Sequence, residues 1–182
     1  MPLRAGFFSL LLVLLASPYP PAAAQSQGTR HPLLQQLDFL VGDWRQTCRI
    51  LPGPFGPVEQ TCGGKSQYRW STGRLWLSFD SVIEAPERES YEVHGVVSYD
   101  PATQRYTAFA FNSAVPRGME YTGDWTDENT LVFTSVVRSG QQAAARIVYS
   151  RMRDGRVRFS SEASQPDGSF KAYFEAVLAR EP

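Results

Sequence analysis

From Asp43 to the C-terminus, apolar and polar positions alternate with a period of two in about ten short runs. Asp43 to Leu51 is the first predicted strand, and Thr61 to Trp70 the second, closed by a Ser71-Thr72-Gly73 turn. Leu75, Leu77, Phe79, Ser81 and Ile83 alternate along a third, and Ala85 to Ser90, charged and containing Pro86, is a loop. Tyr91 to Tyr99 and Arg105 to Asn112 are the fourth and fifth. Between them, Asp100-Pro101-Ala102-Thr103-Gln104 sets Pro at the first central position of a type I turn. Gly118 to Trp125 is the sixth, ending at Thr126-Asp127-Glu128-Asn129. Leu131, Phe133, Ser135 and Val137 mark the seventh, turned by Ser139-Gly140, and Ala145, Ile147 and Tyr149 the eighth, ended by Arg153-Asp154-Gly155. Val157, Phe159, Ser161 and Ala163 mark the ninth. Phe170, Ala172, Phe174, Ala176 and Leu178 line one face of the last.

Ahead of these strands the period differs. From His31 to Leu40, with Pro32 near the start, apolar residues fall at 33, 34, 37 and 40, a helical spacing that buries leucines across a barrel mouth. Gly42-Asp43-Trp44 follows: the glycine lets the chain bend into the first strand, and the tryptophan plugs one end. No strand–helix–strand rhythm occurs, which excludes a parallel sheet. The expected fold is all-β: a single antiparallel up-and-down barrel of about ten strands with a short N-terminal helix at one mouth, or failing that a sandwich. Outward positions rich in Arg, Glu, Gln, Ser and Thr suit a solvated sheet, and closure removes free edges.

Three stretches carry a family resemblance: Leu37-Asp38-Phe39-Leu40-Val41-Gly42-Asp43-Trp44, Tyr99-Asp100-Pro101-Ala102-Thr103-Gln104-Arg105-Tyr106, and Gly123-Asp124-Trp125. They resemble the bacterial domain of unknown function 1579 family. The resemblance implies a calycin or lipocalin-like barrel, often exported, and brings no established reaction. More distantly, the Gly-x-Trp opening is similar to that of nitrobindin-like haem barrels. Those ligate iron through a His close to the C-terminus, and here no His follows His94. Met119 and Tyr149 could ligate iron in principle, though a Met or Tyr on an apolar strand face is ordinarily core.

The first residues predict an exported chain. Arg4, the apolar run Phe7 to Ala16 and Ala22-Ala23-Ala24 have the layout of a secretory signal peptide cleaved near Ala24. The apolar run falls short of the roughly 20 residues that span a bilayer, and no Cys follows it to carry a lipid. The expected organisation is a signal peptide over 1–24, a disordered polar segment over 25–30, and a single barrel domain over 31–181, periplasmic or extracellular. About 155 residues suit one domain with a real core. Cleavage removes Arg4, leaving 17 basic residues against 18 acidic, a balance that argues against nucleic acid or anionic lipid as partner.

Cys48 and Cys62 flank the Pro-Gly-rich stretch Leu51 to Val58. Pairing 48 with 62 sets 46 opposite 64 and 44 opposite 66, and points both thiols to one face, as a cross-strand disulfide requires. Export favours that oxidised form over free or metal-binding thiols. With His31 and His94, the two cysteines are too few and too scattered to suggest a metal site.

Catalytic signals are weak. No Gly-x-Ser-x-Gly elbow, His-Glu-x-x-His or phosphate-cradling glycine loop occurs. Gly63-Gly64 in the second strand reads as a bulge or a close backbone contact. Asp80, Glu92, Glu120 and Glu175 fall mainly on outward positions. His94 has two strand phases open to it: outward beside Glu92, or inward beside Phe109 and Phe111; the first buries more of this strand's apolar side chains. No catalytic residue, metal or cofactor is assigned.

Aromatics at alternate positions are the candidate ligand-binding set: Trp44, Tyr68, Trp70, Phe79, Tyr121, Phe133, Tyr149, Phe159 and Phe174, with Trp125 sharing the interior. A filled core and a hollow one both fit this set. About ten strands, with Ala108, Ala110, Ala172 and Ala176 interleaved, favour a cavity in which tyrosine hydroxyls orient a guest. The expected partner is a small, largely apolar molecule; the sequence is silent on oligomeric state. An enzyme (isomerase or hydrolase) using Tyr149 or His94 as acid or base is the alternative, and a haem or gas-binding barrel the third.

Overall fold

Each of ten strands hydrogen-bonds to its sequence neighbours, and the first also pairs with the last, closing one meandering antiparallel barrel. The computed structural model describes residues 30–53, 56–86, 89–113, 115–137 and 144–181. The predicted signal peptide, residues 25–29 of the polar segment and the Ser139-Gly140 turn lie outside the described residues. The strands are β1 (Gly42–Ile50), β2 (Gln60–Trp70), β3 (Leu77–Glu84), β4 (Tyr91–Asp100), β5 (Arg105–Asn112), β6 (Val115–Trp125), β7 (Thr130–Ser135), β8 (Ala145–Arg151), β9 (Val157–Ser164) and β10 (Phe170–Arg180). Cys48 faces Cys62 in the β1–β2 ladder, with Gln46 opposite Gly64 and Trp44 opposite Ser66. The two cysteines form a disulfide across a Cα separation of 4.8 Å.

Pro32–Leu40 is a 3₁₀ helix whose Leu34, Leu37 and Leu40 are buried. His31 caps its start, accepting a hydrogen bond from the Leu33 amide at Nδ1, and its ring stacks on Tyr99 at 4.4 Å. Arginines satisfy the carbonyls at its other end. Arg151 donates to the Gln36 carbonyl at 2.6 Å and lies over the Phe39 and Trp125 rings. Arg180 donates to the Val41 carbonyl at 2.6 Å and lies over Trp44. Trp44 has no exposed surface, and its indole N–H donates to the Leu40 carbonyl at 2.7 Å. Tyr106 Oη donates to the Leu33 carbonyl at 2.8 Å. Gly42 has φ +135°, in the region that favours glycine, and an added Cβ would strike Arg180.

Four readings of the strands need correction. β3 begins at Leu77, because Gly73 (φ +82°) and Arg74 (φ +55°) turn the chain and leave Leu75 in the bend. β7 ends at Ser135, and Val137 is more than half exposed. β6 starts earlier than Gly118, running through Pro116 across a register irregularity opposite Ala110 and Asn112, where a missing N–H is tolerated. In β10, a bulge between Ala172 and Phe174 reverses the phase. Ala172 consequently pairs with Glu162, and Phe170 packs under the Arg146 guanidinium on the outer face rather than continuing the inner row.

Candidate functional site

The inward row of each strand fills one half of the barrel and leaves space in the other. Next to the helix, Trp44, Leu77, Leu131, Phe133, Val157 and Leu178 pack with almost no exposed surface. Beyond them lies a cavity of about 240 Å³. Tyr68 from β2 and Tyr149 from β8 meet across the lumen, hydroxyl to hydroxyl at 3.4 Å, and separate the two halves. Rings continue around the wall: Tyr149 on Phe159 at 5.0 Å, Phe159 on Phe174 at 5.9 Å, Tyr68 on Phe79 at 5.8 Å. Towards the opposite rim come Gln46, Ser66, Ser81, Tyr91, Met119, Tyr121 and Tyr173, with Glu89 the one charged residue among the described lining.

Glycines set how closely this wall packs. A Cβ at Gly95 would collide with the Phe79 ring, so glycine here lets the aromatic lie flat on β4. Gly64 lies beneath the Gln46 amide and beside the Val82 carbonyl, a close backbone contact of the kind the Gly63-Gly64 pair suggested.

Of the nine aromatics expected to bind a ligand, the cavity brings together Tyr68, Phe79, Tyr121, Tyr149, Phe159 and Phe174. The other three lie elsewhere. Trp44 is sealed beneath the helix, Trp70 donates its indole N–H to Asp38 at 2.7 Å near the helix, and Phe133 packs over Gly123 in the filled half. Alternation alone cannot tell the two ends of a strand apart, and each of these three belongs to the helix end. Tyr91 and Tyr173 are lining residues that the sequence reading missed. Tyr91 opens β4 in the inward phase, so its position was available from alternation. Tyr173 was not, because only the β10 bulge turns it inward beside Phe174.

Burial shapes the electrostatics of this cluster. It pushes the Tyr68 and Tyr91 hydroxyls up to about 12, and raises Tyr121 and Tyr149 well above the ordinary phenol range. Tyr173 is raised for the same reason. Tyr121 donates to the Met119 sulfur at 3.4 Å, and Tyr149 is engaged with Tyr68, so neither Met119 nor Tyr149 is presented as an open metal ligand.

His94 takes the outward phase. Its Nδ1 lies 2.6 Å from Asp80 and its Nε2 3.8 Å from Glu92, with all three side chains more than half exposed. The Asp80 hydrogen bond raises the imidazole pKa. This pair stands on the far side of the sheet from the cavity. Among the described residues, no group of three or more His, Cys, Asp or Glu is placed to hold a metal ion, and no helix is long and apolar enough to cross a membrane.

The sequence model of the family described as "Protein of unknown function (DUF1579)" matches residues 26–180. No curated protein matches the chain. Among solved structures, the chain is similar to Rv2717c from M. tuberculosis, with a TM-score of 0.59 and 12% identity over 84% of this chain and 99% of that one. It is also similar to the S-type phycobiliprotein lyase CPES from Guillardia theta, with a TM-score of 0.56 and 13% identity over 85% and 95% of the two chains. Both are barrels of the lipocalin or calycin kind, and at these identities the likeness carries the fold alone.

Proposed function

The chain belongs to this family of unknown function, DUF1579, and we propose that it is a binding module that holds a small, largely apolar molecule in the aromatic half of its barrel. The observation that carries this reading is the cavity itself: about 240 Å³ walled by aromatic rings, hydroxyls and two amides. A dry apolar cavity of about 150 Å³ accommodates benzene. This one therefore suits a molecule of one or two rings, or a short chain. The 3₁₀ helix is read as the plug of the filled mouth, leaving the opposite rim as the way in.

Residues 1–24 are read as a cleaved secretory signal, 25–30 as a polar leader, and 31–181 as the working domain. The Cys48–Cys62 disulfide supports an oxidising compartment for the folded protein.

Titration with N-phenylnaphthylamine, a neutral apolar dye, tests the binding reading. Saturable, blue-shifted emission at one dye per chain is expected. Ala110 lines the cavity, and Ala110→Trp, checked for native far-ultraviolet circular dichroism, should weaken binding at least about tenfold by filling the space. A wild-type protein that binds no dye, or equal binding by both proteins, would refute the reading.

A further inference from the structure

Within an apolar cavity, the few polar atoms choose among guests of similar shape. Tyr68 and Tyr149 are 3% and 5% exposed. Two hydroxyls carry two protons, and their mutual contact at 3.4 Å uses one at most, whichever of them donates. Among the described residues no other acceptor takes the second proton. The same count holds nearby for Ser66 and Ser81, whose hydroxyls lie 2.8 Å apart and share one proton. Gln46, 4% exposed, spends one amide N–H on the Val82 carbonyl at 3.4 Å and keeps another. Phenolic hydroxyls are better donors than acceptors, because the ring withdraws the oxygen lone pair. This end of the cavity therefore keeps unspent donor protons for a guest.

Charge sets the second constraint. No Lys, Arg or His lines the cavity among the described residues, and the one charged lining group is the Glu89 carboxylate. A guest carboxylate buried here would lose its hydration without gaining a cation. The tyrosines report the same penalty, since burial keeps both Tyr68 and Tyr149 protonated far above the ordinary phenol range.

We propose that the cavity is selective for an uncharged aromatic molecule bearing a carbonyl oxygen, which accepts the free hydroxyl proton of the Tyr68–Tyr149 pair. This rests on the binding reading above and narrows its ligand class.

Three probes of similar size separate the two claims by calorimetric titration: ethylnaphthalene, acetylnaphthalene and naphthoic acid in its ionised form. The ketone should bind roughly three- to tenfold more tightly than the hydrocarbon, the worth of one added neutral hydrogen bond. The acid should bind at least about tenfold more weakly than the ketone. In Tyr68→Phe/Tyr149→Phe, the ratio of ketone to ethylnaphthalene affinity should fall to about one. Either single variant leaves one donor and should retain most of the preference. Equal binding of ketone and hydrocarbon to the wild type, or tighter binding of the acid, overturns the proposed class and leaves the cavity reading standing. Failure of all three probes to bind ends both.

Discussion

Tyr68, Tyr91, Tyr121 and Tyr149 give the barrel a pH dependence that single residues explain. In an unfolded chain a tyrosine ionises near 10, whereas burial holds Tyr68 and Tyr91 at about 12 in the folded barrel. A folded pKa raised in this way contributes stability that is complete below pH 10 and drains as pH climbs through 12. Alkaline titration followed by the phenolate absorbance band should show the buried tyrosines ionising in one cooperative step, together with loss of far-ultraviolet β signal. A single wave near 10 with the β signal intact would show that these hydroxyls are not buried. His94 is the contrasting case. Its pKa is raised by Asp80, but the pair is exposed, so its contribution is about a few tenths of a kcal/mol and fades as pH rises through that raised value. An acid–base role for His94 in the cavity loses its geometric basis, since the imidazole and the cavity lie on opposite faces of β4.

At the scale of elements, β1 and β2 show how far local pattern reaches. Pairing 48 with 62 agrees with the period-two alternation on either side of a Pro-Gly loop, and the barrel adopts that register and the disulfide. Closing a loop of about 15 residues removes roughly 3 kcal/mol of unfolded-state freedom in the chain-entropy model. Urea unfolding of the Cys48→Ser/Cys62→Ser protein should therefore show a loss of about 2–4 kcal/mol with the β spectrum preserved. No loss, or no folded protein under any condition, would contradict a bridge that staples an already paired hairpin. β10 marks the limit of such reading. One extra residue at Tyr173 moves Phe170 and Ala172 to the outer face, and nothing in the apolar pattern signals it, because Phe170 to Leu178 alternates without a break. The helix lies between these cases. Its leucine spacing was visible, but the clamp by Arg151 and Arg180 joins residues more than a hundred positions apart and depends on closure.

For the molecule as a whole, closure is what turns ten marginal strands into a container. The β1–β10 ladder runs from Trp44 opposite Arg180 to Ile50 opposite Phe174, so no strand of the meander is left as a free edge. Strand number and direction were legible in the sequence because turns and alternation are local. The division of the lumen into a packed half and a hollow half was not. It depends on contacts between residues far apart in the chain, and it leaves Trp44, Trp70 and Phe133 outside the cavity lining and brings in Tyr91 and Tyr173. The central claim is that the half beyond Tyr68 and Tyr149 is hollow and apolar. Diffraction from crystals pressurised with xenon measures this directly, since the gas settles in apolar cavities of this size. The account predicts xenon density among Tyr68, Phe79, Phe159 and Phe174; side chains filling that space, with no xenon between them, would contradict it.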